Sequence, residues 1–502
     1  MKYIGAIDQG TTSTRFMIFS EDGNVVASAQ KEHRQICPRP GWVEHDSAEI
    51  WNNTQCVIEE ALYIAGLRGS DLEGVGITNQ RETVIPFDRI TGKAYHNAVV
   101  WQDLRGEAYI GRLKELVSEE ELKRITGLLY SPYFSASKIM WLLDNVPRIK
   151  ALSGDDRLVF GTVDTYITYM LTGGNIVTDI TNASRYMLMD LEKGCWDSRM
   201  LSVTGIREEN LPQIVPSIGR IYGYTKPDGP FGASIPVAGM LGDQQAALFG
   251  EACFEEGESK CTYGTGIFML TNTGRKRCIS GHGLLSTVAY QKEGEAPLYA
   301  LEGSAAVGGA LVQWVRDELQ MVKSPKELDE LAASVPDNGG VYIVPAFSGL
   351  FAPYWRSDAR GIITGLTRYA GKAHICRAVL EAAAFQADDL RKAMEEDSGV
   401  KIGCLKADGG MTNSMPMMSF QSDIMNIPVL RPRISETTCL GAAYASGLTV
   451  GMWKSMDELR SYWKEEVRWL PSMEDKERSK KVRCWKKAVD RSLGWAVEDK
   501  ES

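Results

Sequence analysis

No stretch of this 502-residue chain holds the roughly 20 consecutive apolar residues that a membrane-spanning helix needs. No secretory signal is expected either, because Met1-Lys2-Tyr3-Ile4 runs straight into a strand-like pattern and leaves no room for a charged region, an apolar stretch and a cleavage site. These absences predict a soluble protein that stays in the cytoplasm. The ten cysteines, from Cys37 to Cys484, include no Cys-x-x-Cys pair and no close grouping with histidine, so no zinc site is expected and the thiols read as reduced and mostly buried. A formal charge of −9 leaves no basic surplus for holding nucleic acid nonspecifically. The Gly-x-x-x-x-Gly-Lys-Ser/Thr phosphate loop is also absent. One basic run stands against this background: Lys476, Arg478, Lys480, Lys481, Arg483, Lys486 and Lys487 interleave with Val482, Trp485 and Val489 at helical spacing. It reads as an amphipathic terminal helix with a solvated positive face, the alternative being a membrane or partner-helix site.

What the chain does hold is a repeated turn. Asp8-Gln9-Gly10-Thr11-Thr12-Ser13 and Thr262-Tyr263-Gly264-Thr265-Gly266 lie half the chain apart, each flanked by strand-like runs. Such tips gather backbone N–H groups and hydroxyls and can cradle anionic oxygens. A chain of this length exceeds one core, and the duplication divides it into two α/β lobes, 1–250 and 251–502, hinged near Gly250 without a low-complexity linker. The pattern predicts three antiparallel strands over residues 3–30, a helix over 47–65, strands at 72–78, 84–87, 98–101 and 158–161, and helices near 103–117, 119–126 and 136–145. The second half restarts with strands at 259–263 and 267–270, a strand at 301–303 leading into a helix through Trp314, a long helix over 374–394, and a strand at 405–408 entering another helix. Residues 224–236, rich in glycine and proline, read as a surface loop.

Several side chains could do chemistry at strand ends. Asp8, beside Thr11, Thr12 and Arg15, suits magnesium held through water with hydroxyls and a guanidinium on phosphate oxygens, or else it caps its own turn. Asp408-Gly409-Gly410 would let backbone approach a flat ring closely. Asp243 is either a helix N-cap, worth about 1 kcal/mol, or a general base for a hydroxyl attacking phosphorus, a role worth roughly 10²–10⁴-fold. Arg81 and Glu82 project from a strand end, where α/β folds place ligands, or form a surface ion pair. Trp101, Tyr133 and Phe268 read singly as core aromatics. Together with those charges they describe a small polyol pocket.

At these residues the chain resembles the FGGY carbohydrate kinases, and among them the members that phosphorylate glycerol. The resemblance runs from Asp8–Ser13 to Thr438–Tyr444. It includes two family signatures, Tyr133–Asn145 and Gly361–Glu381, and the segments Pro40–Asp46, Ile77–Glu82, Gly161–Thr165, Thr181–Arg185 and Gly242–Gly250. It implies an actin-like ATPase fold of two ribonuclease-H-like lobes with a central ligand cleft where glycerol and MgATP meet. Asp243 is then the expected base. Arg81, Glu82, Tyr133 and Asp243, with Gln244 beside them, are implied at the hydroxyls, and Trp101 and Phe268 at the carbon chain. Asp8 is implied at Mg2+, Thr11, Thr12, Ser13, Arg15 and Thr265 at the phosphates, and Gly309, Gln313, Gly410 and Ser414 around the nucleotide. The same resemblance implies a homodimer or homotetramer. Serine stands at 414 where many relatives carry asparagine, and Phe351 and Arg356 stand where glycine and aspartate are usual. The segment matching the fructose 1,6-bisphosphate loop of some bacterial members, Pro227–Ser234, has no arginine, and the histidine that some Gram-positive members carry in that loop is missing, so neither control is expected. Other readings are a kinase of the same family for a tetritol, dihydroxyacetone or a pentulose, and an actin-like ATPase without acceptor chemistry.

Overall fold

The computed structural model describes residues 1–496, organised by two large mixed sheets. In the first lobe β1 (Tyr3–Gln9), β2 (Ser13–Ser20) and β3 (Val25–Glu32) form the expected antiparallel meander, and Gly10 N–H donates to Ser13 O at 2.9 Å to close the first hairpin. Helix α1 (Ser47–Ala65) has the expected bounds, with Asp46 accepting from Ala48 N–H as its N-cap. Next come β4 (Leu72–Asn79), α2 (Ser135–Asn145), β5 (Ile221–Tyr224) and β6 (Pro236–Gly242). The sheet runs β5-β6-β4-β1-β2-β3, with β1, β4 and β6 parallel.

The second lobe repeats the scheme. After α3 (Asp243–Gly250), β7 (Ser259–Tyr263) and β8 (Ile267–Gly274) make the second hairpin. They are followed by β9 (Leu285–Tyr290), β10 (Leu298–Ala305), α4 (Gly309–Asp317), α5 (Lys372–Ser398), β11 (Leu405–Asp408), α6 (Met415–Met425), β12 (Val429–Pro432), α7 (Thr437–Val450), β13 (Glu465–Trp469) and α8 (Asp475–Ser492). The order is β9-β10-β8-β7-β11-β12-β13. In both sheets the first hairpin strand has its partner on one side and, on the other, a later parallel strand.

Two helices fill the space between the sheets. Ile4, Ala6, Met17 and Phe19 of the first sheet and Leu270 and Ala300 of the second share one core with Leu241, Ala246 and Phe249 around α3 and with Cys439–Ala445 of α7. The helices cross so closely that a Cβ on Gly441 would stand 1.9 Å from Ala246 O, so only glycine fits there.

Some expectations needed adjustment. The helix expected over 103–117 covers Glu107–Leu116, because the Asp103 carboxylate accepts from Val43 N–H and Arg105 N–H and holds residues 103–105 in a turn. The strand at 98–101 ends at Val99, leaving Trp101 in the following turn. The terminal basic run is helical, with Trp485 and Val489 buried; Lys481, however, turns inward, its ammonium 5.5 Å from the Phe420 ring and 4.0 Å from Glu381. Among the described residues no helix is long and apolar enough to cross a membrane.

Candidate active site

The parallel strands β1, β4 and β6 end level with one another, Gln9 opposite Asn79 and Asn79 opposite Gly242. Their exits therefore deliver Asp8, Arg81 and Asp243 to one edge of the first sheet. A buried network locks the exits in place: Asn79 and Asn182 exchange side-chain hydrogen bonds at 3.0 and 3.1 Å, Thr181 Oγ1 accepts from Gly242 N–H at 2.9 Å, and Asp179 accepts from both Thr181 and Asn182. A Cβ on Gly242 would stand 2.6 Å from Arg81 Cδ, so glycine there leaves room for the Arg81 side chain.

Around Arg81 the charges alternate. Arg81 Nε lies 3.0 Å from Asp243 Oδ1, and its two Nη atoms donate to the two Glu302 oxygens at 2.6 and 2.9 Å. Nη1 also donates to Gln245 Oε1 at 3.2 Å, leaving one Nη2 hydrogen of the five guanidinium N–H groups uncommitted. Arg185 donates through Nε to Glu82 Oε1 at 2.6 Å and through Nη2 to Glu302 Oε1 at 3.3 Å. Burial would raise the Glu302 carboxyl, but the Arg185 and Arg81 guanidiniums hold it down at about 2. For Glu82 burial prevails over the same arginines and the carboxyl is raised. Its backbone has φ +59°, an uncommon conformation for glutamate, and Ser135 Oγ donates to its carbonyl at 3.1 Å. Of these charges only Asp243 reaches solvent, with its side chain 32% exposed against 2% or less for Arg81, Glu82, Arg185 and Glu302. It is not the N-cap that one reading of the sequence made it: Gly242 occupies that position, and the carboxylate meets Arg81 Nε and the adjacent Gln244 N–H instead.

The aromatic walls stand beside this group. Trp101 and Tyr133 meet edge to face at 5.4 Å, and Trp101 Nε1 donates to Thr11 Oγ1 at 2.9 Å, joining the walls to the first hairpin. The fully buried Lys138 donates to the carbonyls of Pro132, Tyr133 and Phe134 and so shapes the segment that carries Tyr133. On the second sheet Phe268 stands opposite Thr262 and Ser304, and Leu270 opposite Lys260 and Glu302. Directly opposed residues share a face. That face meets α3, where Lys260 Nζ donates to Gln244 Oε1 and, at 2.9 Å, to Thr262 Oγ1.

Both hairpin tips open to solvent at Thr12 and Thr265. Helix α4 starts against the second, Gly308 N–H donating to Thr265 O at 2.8 Å and Gly309 N–H to Gly264 O at 2.9 Å; Gln313 is exposed one turn further on. Ser13 and Arg15 are tied to Gln30, and Arg15 reaches Glu436 just before α7. Asp8 lies within electrostatic reach of Arg15 and Asp243; burial, the dominant influence, raises its carboxyl to about 6. Nothing stands within 4 Å of a Cβ on Gly410, whereas the buried Ser414 caps α6 and donates to Asp329 Oδ1 at 2.7 Å, so its hydroxyl is already engaged.

Two hairpins, a carboxylate cluster and a glycine-lined strand end on duplicated sheets find their match in known families. Models of the FGGY family of carbohydrate kinases match residues 3–250 with the N-terminal domain and 259–450 with the C-terminal domain. The chain belongs to this family. Glycerol kinase 2 of Streptomyces avermitilis is 53% identical over 502 residues, covering 99% of this chain and 98% of its own. The crystal structure of Plasmodium falciparum glycerol kinase with ADP superposes with a TM-score of 0.93 at 40% identity, covering 98% of each chain. Gluconate kinase of Lactobacillus acidophilus, at 21% identity, shares the fold with a TM-score of 0.86. As an FGGY kinase the chain has the two-lobed α/β actin-like fold that its motifs imply. Glu302, Arg185, Lys260 and Lys138 escaped the sequence reading of the site. Glu302 did carry a signal, being a lone charge within a short strand of mainly apolar residues.

Proposed function

We propose that this FGGY kinase transfers the γ-phosphoryl group of ATP to a terminal hydroxyl of glycerol, giving sn-glycerol 3-phosphate and ADP, in the cytoplasm and as a homodimer or homotetramer. The observation that carries the reading is Asp243, the one member of the arginine–glutamate cluster that reaches solvent, at the strand-end edge that also carries the first hairpin. Glycerol offers three hydroxyls on a short carbon chain. The remaining Arg81 N–H and the second Glu82 oxygen supply a donor and an acceptor for two of them, with Tyr133, Gln244, Trp101 and Phe268 forming the walls. Asp243 takes the proton of the third as its oxygen attacks the γ-phosphorus in line; the bond to the β-bridging oxygen breaks and ADP leaves. Thr11, Thr12, Ser13 and Arg15 face the phosphates from the first lobe, 1–250. Thr265 faces them from the second, 251–502, where Gly309, Gln313, Gly410 and Ser414 frame the nucleotide. Closure of the lobes excludes water as a competing acceptor.

Among the described residues no three His, Cys, Asp or Glu side chains gather into a ready-made metal cage. One half-buried carboxylate at a phosphate hairpin is nevertheless what Mg2+ accepts, since it takes one or two carboxylates and completes its shell with water and phosphate oxygens. Asp8 fits that place. Bound there with ATP, the cation would neutralise charge developing on the phosphates.

Coupled measurement of ADP formation tests the proposal. We expect turnover that depends on glycerol, and an Asp243→Asn variant that binds MgATP normally but loses at least about 10²-fold in kcat. ADP formation indifferent to glycerol, or near-normal turnover by Asp243→Asn, would contradict it.

A further inference from the structure

The centre of the charge cluster comes from the other lobe. Glu302 sits on β10, opposite Leu270 and Leu285, on the sheet face turned toward the first lobe. Arg81 and Arg185 belong to the first lobe, yet both end on this one carboxylate: Arg81 is bidentate at 2.6 and 2.9 Å, and Arg185 lies at 3.3 Å. From one end to the other the groups read Asp243, Arg81, Glu302, Arg185, Glu82, negative and positive in strict alternation, with Glu302 at the midpoint.

Two guanidiniums this deeply buried repel one another, and only a charge between them keeps both in place. Without Glu302, Arg81 keeps its ion pair with Asp243 and the nearby charge of Glu82, and is drawn toward them. Arg185 retains only Glu82. Both acceptor-side carboxylates would then be drawn into tighter pairs, and the N–H and oxygen that Arg81 and Glu82 keep uncommitted would no longer hold their positions. Glu302 itself is only 2% exposed, so it reaches the pocket through Arg81 and Arg185.

We propose that Glu302 is a positioning residue for the acceptor pocket: a carboxylate supplied by the second lobe that fixes Arg81 directly, and Glu82 through Arg185, in the arrangement that binds the polyol. This rests on the reading above that Arg81 and Glu82 meet the glycerol hydroxyls. A carboxylate serving only as a tie between lobes would change stability and leave the two substrates equally affected.

The test compares the full-length wild type with Glu302→Gln, which keeps the shape and removes the charge, and Glu302→Asp, which keeps the charge on a shorter arm. Glycerol KM, MgATP KM and kcat are measured for each, together with the rise in Tm produced by glycerol alone and by MgADP alone, which remains readable in a destabilised variant. For Glu302→Gln we expect glycerol KM to rise at least about tenfold with MgATP KM within about twofold of wild type, the loss of one charge-assisted pair. We also expect the glycerol-induced Tm rise to vanish while the MgADP-induced rise stays. Glu302→Asp should recover part of the glycerol affinity. Equal changes toward both substrates, or an unchanged glycerol KM, overturn the inference. An Arg81→Ala control separates the two levels: if it leaves glycerol KM untouched, the acceptor assignment itself fails, whereas a raised KM in Arg81→Ala beside a normal one in Glu302→Gln removes only the role of Glu302.

Discussion

Arg81 has most of its hydrogens engaged inside the protein and one to offer, which makes its removal specific in effect. A hydrogen bond to a charged group contributes about 1.5–3 kcal/mol, so Arg81→Ala should raise glycerol KM roughly ten- to hundredfold. MgATP KM should change far less, and steady-state kinetics with each substrate varied in turn reads the difference. Arg81 and Glu82 were legible in the sequence because charged residues stood where a strand pattern stopped. Glu302, 221 residues from Arg81, was not, because an ion pair between distant strands leaves no local spacing to read. The hydrogen bond from Ser414 to Asp329, 85 residues away, was illegible for the same reason.

Elements with one solvated face were the ones the sequence described well. α1 shows its apolar positions at helical spacing, as does α8, where Trp485 stacks on Phe385 at 5.1 Å and donates to Asp389 at 2.7 Å. Trp485→Ala should cost about 3–5 kcal/mol by chemical denaturation while leaving both KM values near wild type. Helix α7 went unread as a helix because it is buried on nearly every side and so lacks the periodicity that marks an amphipathic one. Its crossing with α3 tolerates no added atom at Gly441, and Gly441→Ala should destabilise by roughly 1–3 kcal/mol or more, seen as a lowered Tm. At the other end of α3, burial pushes the Glu251 carboxyl up to about 8, with Asp408 adding to the effect. The folded chain keeps that proton after the unfolded chain has released it, so its contribution is complete below the ordinary glutamate range and is lost as pH rises through about 8. Glu251→Gln mimics the protonated form, and its Tm relative to wild type should therefore climb between pH 5 and pH 8.5. A flat difference would mean that the folded chain releases the Glu251 proton over the same pH range as the unfolded chain.

Across the whole molecule, duplicated hairpins revealed two lobes, yet nothing in the sequence disclosed how much core they share. Ile4 and Phe19 of the first sheet and Leu270 and Ala300 of the second lie in one apolar cluster with α3 and α7. Lobes joined through a common interior should unfold together. We expect thermal unfolding followed by tryptophan fluorescence and by far-UV circular dichroism to give coincident transitions; two well-separated steps would show that each lobe is stable alone.

That shared interior also orders events during synthesis. Strands near the N-terminus leave the ribosome with one flank of their sheet bare, since the helix that covers it is encoded at residues 437–450. At about 5–20 residues per second, some 200 further residues must be added after Gly250, a delay of roughly 10–40 s during which the nascent half exposes oily surface. A chaperone that shields this flank would have its longest engagement with the polypeptide during that interval, and release would come only when the last crossing helix emerges.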